Sequence, residues 1–593
     1  MKRLLKYLKP HILIMIFSCF LVIATIAVEL ARPIIIGNAI DTYINADSTS
    51  IAEGLSRAEI WALQQDNFYG LLQQALLYLL MLLLGFALNA TLNMTLQKMG
   101  QNIMYKMREE VYTHIHSLSL NFFNTTPLGK LVTRVSNDTE AINELFTTIL
   151  VKLFKNSLKI VGYAIVMISI SPKLAGISFL MLPFVAALTF FFRYMSRKAY
   201  KITRNKITEI NTFLSEHISG MKLIQIFARE KEKYNEFSQK SEELFRANWR
   251  EVMTFAIFRP CIYFLSIIAT VLVVGSGSAS VLNQTLSIGT LYIFISYISS
   301  FFDPIQELAE QFGTLQSSLA SAEKVFSILD EKPTLERLAN PTPVNITGRI
   351  EFKNVWFAYD TLEDGSYDYI LKDVSFTIEP GQKVAFVGAT GAGKSSILNL
   401  IGRYFDVQQG EILIDGVNIK ELDTDVLRRA IGQVQQDVFI FTGDIKSNIS
   451  LNNESISEED IKKAAAFVNA DKFIEKLEKG YDEPVTERGS TLSAGQRQLL
   501  SFARTIAYNP TILVLDEATA NIDTETETLI TEALENLMAN RTTIMVAHRL
   551  STIQHADKII VLDHGKIQEE GNHQELLRKD GIYKKLYELQ LAD

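Results

Sequence analysis

The sequence predicts an α-helical membrane domain of six transmembrane helices with long cytoplasmic extensions, fused to an α/β domain built around a phosphate-binding loop. Three observations carry this fold class. Of the 593 residues, 48% are hydrophobic, more than suits an ordinary water-soluble chain of this length. The charges divide unevenly, with 29 Lys+Arg against 22 Asp+Glu in residues 1–320 and 29 against 44 in residues 321–593. The third is the run Gly388-Ala-Thr-Gly-Ala-Gly393-Lys394-Ser395 between an apolar strand and an apolar helix. The same composition excludes other classes. The acidic net charge of −8 argues against nucleic-acid binding. With Cys19 and Cys261 alone, each in an apolar stretch, there is no disulfide framework and no thiolate metal site.

A bilayer core takes about 20 apolar residues per helix. Windows free of Asp, Glu, Lys and Arg run over Pro10–Val28, Asn67–Gln97, Leu174–Phe192 and Pro260–Phe302, the last long enough for two spans. Inside it, Gly275–Ser280 and Asn283–Thr285 supply the turn. A further span near Phe154–Ile170 lets the chain alternate direction, which makes six. Lys2, Arg3, Lys6 and Lys9 precede the first window without a small-residue cleavage site, so it reads as a retained helix with a cytoplasmic N-terminus. In that orientation residues 98–134 and 193–250, rich in Lys and Arg, face the cytosol, and the opposite loops hold few cations.

Those two cytoplasmic segments prolong the membrane helices and reverse at Pro127–Gly129 and Gly220. Phe122 and Phe123 beside the first turn, and Phe213 and Ile218 beside the second, are either apolar knobs for another domain or faces packed on a neighbouring helix. Within the spans, Asn89, Asn93 and Gln97 share one face, and Tyr292, Ser296, Tyr297, Ser299 and Ser300 mix aromatic and hydroxyl groups. Both sets suit interhelical hydrogen bonds or a ligand. Glu29 is expected to pair with Arg32, three residues on. Lys152, Lys155 and Lys159 share a face and are expected to snorkel to the cytoplasmic interface, the alternative being contact with an anionic headgroup.

Residues 321–348 form a polar linker carrying Pro333, Pro341 and Pro343, between a transmembrane domain over 1–320 and a second domain over 349–593. In the second domain the strand Lys383–Val387 leads into G-x-x-x-x-G-K-S. Gly388, Ala389, Thr390, Gly391, Ala392 and Gly393 offer backbone N–H groups to phosphates, and the following helix adds its positive end. Lys394 neutralises the β and γ oxygens, and the Ser395 hydroxyl suits magnesium. The strand Thr511–Leu515 ends in Asp516-Glu517, a magnesium-side carboxylate followed by a candidate general base. The strand Thr543–Ala547 delivers His548 to the same edge.

Tyr359, the Gly388–Ser396 loop, Gln436, Leu492-Ser-Ala-Gly-Gln496, Asp516-Glu517, Asn521-Ile-Asp523 and His548 follow one another in the order and spacing of an ATP-binding cassette. With six helices ahead of it, the whole chain resembles a half-transporter of the ABC exporter (type IV) family, of the bacterial multidrug type. Phe122-Phe123, Pro127, Gly129, Arg134 and Asn137-Asp138 also resemble that family's first intracellular loop. The resemblance implies ATP and Mg2+ as cofactors. It gives adenine stacking to Tyr359, the phosphate cradle to Gly388 through Ser396, and magnesium and attacking-water contacts to Gln436. It further gives magnesium through water to Asp516, water activation to Glu517 and a γ-phosphate contact to His548. Ser493, Gly495 and Gln496 would then serve a nucleotide held mainly by a partner cassette.

Two positions depart from the family pattern. Ala494 stands where L-S-G-G-Q has its third residue, Gly, and Asn521 stands where Ser is usual. If residue 494 needs positive φ or close phosphate approach, the Cβ weakens the contact; otherwise the change is neutral. Together the departures point to a heterodimer with a related half-transporter, the homodimer being the alternative. The implied function is ATP-driven export or flipping of amphipathic compounds across the plasma membrane, by alternating access coupled to cassette dimerisation. A lipid flippase and a membrane-anchored regulatory ATPase without transport are the alternatives.

Overall fold

The computed structural model describes residues 2–45, 57–333, 341–362, 364–516, 524–546 and 553–592. The chain divides into two units, one of Met1–His116 with Leu128–Glu331, the other of Ser117–Pro127 with Lys332–Asp593.

In the first unit six helices are long and apolar enough to cross a membrane: Lys6–Ile44, Gln65–Ser117, Leu128–Ile170, Pro172–Ser219, Glu230–Leu282 and Ile288–Leu329. They are much longer than the charge-free windows because polar helix formers continue each one past its apolar part. The turn between the fifth and sixth begins later than the sequence suggests. Gly275–Ser280 is helical and the chain reverses at Asn283–Ser287, where Gln284 takes a φ of 57°. The serines stay in the helix by returning their hydroxyls to it, Ser278 to the Val274 carbonyl at 2.6 Å and Ser280 to that of Ser276 at 3.1 Å. Gly277 is buried close to Leu291 of the sixth helix, so the small residues serve packing and not a bend.

Asp41 in the first helix caps the start of the sixth, accepting the Gly289 N–H at 2.7 Å and the Ser287 hydroxyl at 2.5 Å. Of the candidate knobs, Phe213 is buried in its own helical hairpin, stacked on His217 at 3.7 Å and tilted against Phe237, whereas Ile218 is exposed. Phe122 and Phe123 lie on the short helix Leu120–Thr125, in contact edge to face, and belong to the second unit.

The ion pairs inside the bundle differ from those expected. Glu29 pairs with Lys159 at 2.5 Å and Lys155 at 3.5 Å on the third helix, not with Arg32. Lys155 also donates to Asn89 of the second helix at 3.2 Å. Lys155 and Lys159 therefore turn inward and do not snorkel. An interior carboxylate without water needs a cation, and two lysines on the facing helix outcompete the interface for this one.

The strands of the second unit, among the described residues, are β1 (Ile350–Phe357), β2 (Leu371–Ile378), β3 (Lys383–Val387), β4 (Gln409–Ile414), β5 (Val417–Asn418), β6 (Ile431–Val434), β7 (Gly443–Asp444), β8 (Pro484–Val485), β9 (Ile512–Asp516), β10 (Thr542–Val546), β11 (Lys558–Asp563) and β12 (Lys566–Gly571). An antiparallel sheet has the order β2-β1-β4-β5, and a six-stranded sheet the order β12-β11-β3-β10-β9-β6. In the larger sheet only the edge strand β12 is antiparallel.

The larger sheet is buried on both faces, as its β-branched runs require. Val384, Phe386, Ile512, Val514, Ile544 and Val546 point into a core shared with the helix Lys394–Ile401. Ala385, Val387, Leu513, Leu515 and Met545, one residue out of phase, point into a core shared with the helix Ala494–Ala507. The helix after the phosphate loop and the helix of the Leu492–Gln496 motif thus pack on opposite faces of one sheet.

Candidate functional site

The loop after β3 is shaped by three glycines. Gly391 and Gly393 have φ of 82° and 102°, where a side chain strains the backbone, and Gly388, at 155°, would direct a Cβ into the Leu562 carbonyl oxygen. Ala389, Thr390 and Gly391 are exposed at the loop's crest, while Ala392 is buried beneath it. Gly393 caps the helix Lys394–Ile401, whose first N–H groups lack partners within the helix. Lys394 is only 6% exposed and folds over the loop, donating to the carbonyls of Gly388 at 2.7 Å and Ala389 at 3.0 Å. A cation held there, above exposed amides, suits a polyphosphate chain.

Ser395 is exposed beside the loop. Ser396 is buried and its hydroxyl accepts that of Tyr359 at 3.1 Å. Tyr359 is partly exposed, set edge to face against Phe357 and Phe405, and its hydroxyl also accepts from Asn399 at 3.3 Å. These contacts fix the ring relative to the loop helix.

The parallel register brings the other candidates to the same edge. Phe386, Val546 and Asp516 lie side by side on β3, β10 and β9, and Val434 on β6 is level with Leu515. Hence Gly388, Asp516 and Gln436 all emerge at the carboxyl ends of strands of one parallel sheet, β3, β9 and β6, the edge where such sheets bind ligands. Gln436 is exposed and Asp516 partly so. Glu517, Asn521 to Asp523 and His548 lie outside the described residues.

Ser493, Gly495 and Gln496 are not joined to this edge. Ser493 caps the helix Ala494–Ala507 in a reciprocal box, its hydroxyl accepting the Gln496 N–H at 3.2 Å and its own N–H donating to Gln496 Oε1 at 2.9 Å. Ser493 and Ala494 are exposed and Gly495 is buried. Ala494 is the first residue of the helix and has no positive φ, so the conformational penalty left open by the sequence does not arise. What the sequence did not reveal is the clamp between this helix and the segment after Gln436. Arg504 donates to the Asn448 carbonyl at 2.8 Å and that of Phe439 at 3.2 Å, and burial lowers its pKa. Asn448, 1% exposed, holds Phe441 by both N–H and carbonyl at 2.8 Å. No local spacing in the sequence signals this clamp, because Asn448 and Arg504 sit on separate helices 56 residues apart.

Known proteins agree with this arrangement. The family model described as ABC transporter transmembrane region matches residues 15–305, and that described as ABC transporter matches residues 371–520. A Bacillus subtilis protein named "Probable multidrug resistance ABC transporter ATP-binding/permease protein" is 40% identical over 93% of this chain and 81% of its own length. An ATP-dependent lipid A-core flippase of Desulfotalea psychrophila is 36% identical over 84% of this chain and 86% of its own. A solved bacterial Atm1-family ABC exporter with ATP bound superposes with a TM-score of 0.76 at 26% identity, covering 98% of both chains. With membrane helices and a phosphate-loop sheet in one polypeptide, and similarity running through both, this chain belongs to the ABC transporter family.

Proposed function

We propose that this chain is one half of a multidrug-type exporter that couples ATP hydrolysis to the export or flipping of amphipathic molecules across the plasma membrane, with its N-terminus and cassette in the cytoplasm. One observation carries the reading: a glycine-shaped phosphate loop, Asp516 and Gln436 share the carboxyl edge of one sheet, in the same polypeptide as six membrane-length helices. In this reading Gly388 through Ser396 hold the phosphates, Lys394 offsets their charge and Tyr359 meets the adenine. The oxygen donors Ser395, Gln436 and Asp516 suit magnesium, which supplies charge neutralisation at the phosphates when bound. Glu517 takes the proton of the attacking water and His548 contacts the γ-phosphate.

Ser493, Gly495 and Gln496 cover the nucleotide of a second half-transporter. Their support is the placement of their helix on the sheet face opposite the phosphate-loop helix. The Asn521 departure still favours a heterodimer; Ala494, with its helical φ, adds less to that than its sequence suggested. The discriminating measurement is ATP-dependent accumulation of a hydrophobic dye in inverted vesicles, with the chain expressed alone or with a related half-transporter. Transport is expected with the wild type and absent with E517Q, which retains ATP but loses the base, a loss of about 10² to 10⁴ in rate. ATP hydrolysis without dye movement would favour the regulatory ATPase. Full transport by the chain alone, unimproved by coexpression, would overturn the heterodimer.

A further inference from the structure

A cavity of about 420 Å³ lies within the first unit, lined by residues of the first, second, third and sixth membrane helices, within the size range of small-molecule sites. Its sixth-helix wall is Tyr292, Ser296, Ser300, Asp303 and Glu307, spaced three or four residues apart and so on one face. The first helix adds Glu29 and Arg32, and the third adds Lys159 and Tyr163. At 1.5 Å per residue, Asp303 is about 22 Å along its helix from Ile288, and Lys159 about 16 Å from the Ile170 end of its own. Both depths fall within a hydrocarbon core of about 30 Å.

The charges in this cavity are unevenly matched. Glu29 is a single carboxylate serving two lysines, at 2.5 Å and 3.5 Å. Arg32 makes no hydrogen bond or ion pair among the described residues, and its Nε is buried. On the sixth helix, Glu307 accepts only the neutral Asn156 amide, at 2.8 Å, and Asp303 makes no hydrogen bond or ion pair among the described residues. One wall therefore has surplus positive charge and the facing wall surplus negative charge, and the two attract across the cavity, Lys159 to Asp303 and Lys155 to Glu307, without a close ion pair between them. Buried charges ordinarily pair directly within the protein, and those that face each other only across a cavity inside a membrane bundle mark a ligand path.

We propose that this cavity binds the head of a zwitterionic amphiphile, its cationic group against Asp303 and Glu307 and its anionic group against Arg32. A purely cationic head leaves Arg32 uncompensated, and a purely anionic one leaves both carboxylates so. Tyr163 and Tyr292 line the same cavity, and aromatic rings attract ammonium groups. The inference rests on the reading of the chain as a transporter of amphiphiles and adds the class of head group.

The test is equilibrium binding to the purified full-length transporter in lipid nanodiscs, without nucleotide. Radiolabelled dodecylphosphocholine is the probe, kept below its micelle-forming concentration, with dodecyltrimethylammonium and dodecyl phosphate as competitors of equal chain length. Saturable binding is expected, with both competitors at least about tenfold weaker. D303N should weaken the probe and the cation about tenfold and spare the anion, R32Q should weaken the probe and the anion and spare the cation, and D303E should restore the wild-type ranking. No saturable binding by the wild type, or equal displacement by all three head groups, overturns the proposal without recourse to any variant. Dye transport and ATP hydrolysis by the same wild-type preparation are read separately. Their failure would count against the transporter reading.

Discussion

Lys394 and Ala494 make opposite demands on substitution. Lys394 is buried at the phosphate loop with its ammonium on two backbone carbonyls. Its truncation removes a charge-assisted partner worth about 1.5–3 kcal/mol, so K394A should bind ATP about 10- to 100-fold more weakly, as read by equilibrium titration of the purified transporter. Ala494 begins a helix with an exposed side chain and no positive φ. A494G therefore gains no conformational relief, and its ATPase rate should stay within about threefold of the wild type, since a Gly–Ala exchange at a compatible position is worth under about 1 kcal/mol. The loop was legible in the sequence because its requirement is local: glycine where φ is positive, lysine where phosphate comes. The conformation of residue 494 was not, because it depends on where the Ser493 cap starts the helix.

Among elements, the connection from the linker into the first sheet hangs on Asp415, directly after β4. Its carboxylate accepts the N–H groups of Thr347 at 2.7 Å, Arg349 at 3.1 Å and Gly348 at 3.2 Å, and also the Thr347 hydroxyl. Burial by itself raises the pKa of this group, but the donors together outweigh it and hold the carboxyl below its usual value. A depressed folded pKa means the stabilisation is full above the unfolded value of about 4 and is lost as pH falls through the folded value. D415N, which tolerates the φ of 50° at this position, should lower cassette stability by about 1–2 kcal/mol at neutral pH. The gap between mutant and wild type should be constant above about pH 5 and close below about pH 4, in urea melts followed by fluorescence. Five spans could be counted from charge-free windows because lipid enforces them residue by residue, and the sixth, near Phe154–Ile170, from the need for the chain to alternate direction. Which lysine meets Glu29 could not, since that depends on the rotation of each helix about its axis, and spacing within one helix suggested Arg32 instead.

At the scale of the whole molecule, strand alternation and parallel register together decide what one chain can do. A one-residue phase difference along β3, β9 and β10 sends the phosphate-loop helix to one face and the Ser493 helix to the other. The sequence supplied both motifs and their order, but only the sheet reveals that they are kept apart. The division into units has a separate consequence. Ser117–Pro127 leaves the first unit, joins the second, and the chain then returns, so the second unit is assembled from two distant stretches of polypeptide. The Lys332 connection is thus not the only point at which the chain passes between the two units. Two separately encoded polypeptides, 1–333 and 334–593, should find each other when coexpressed and copurify through a tag on either one, whereas a first piece lacking residues 117–127 should leave its companion behind. Seen this way, the molecule is a two-part kit whose larger part carries its own key to the smaller.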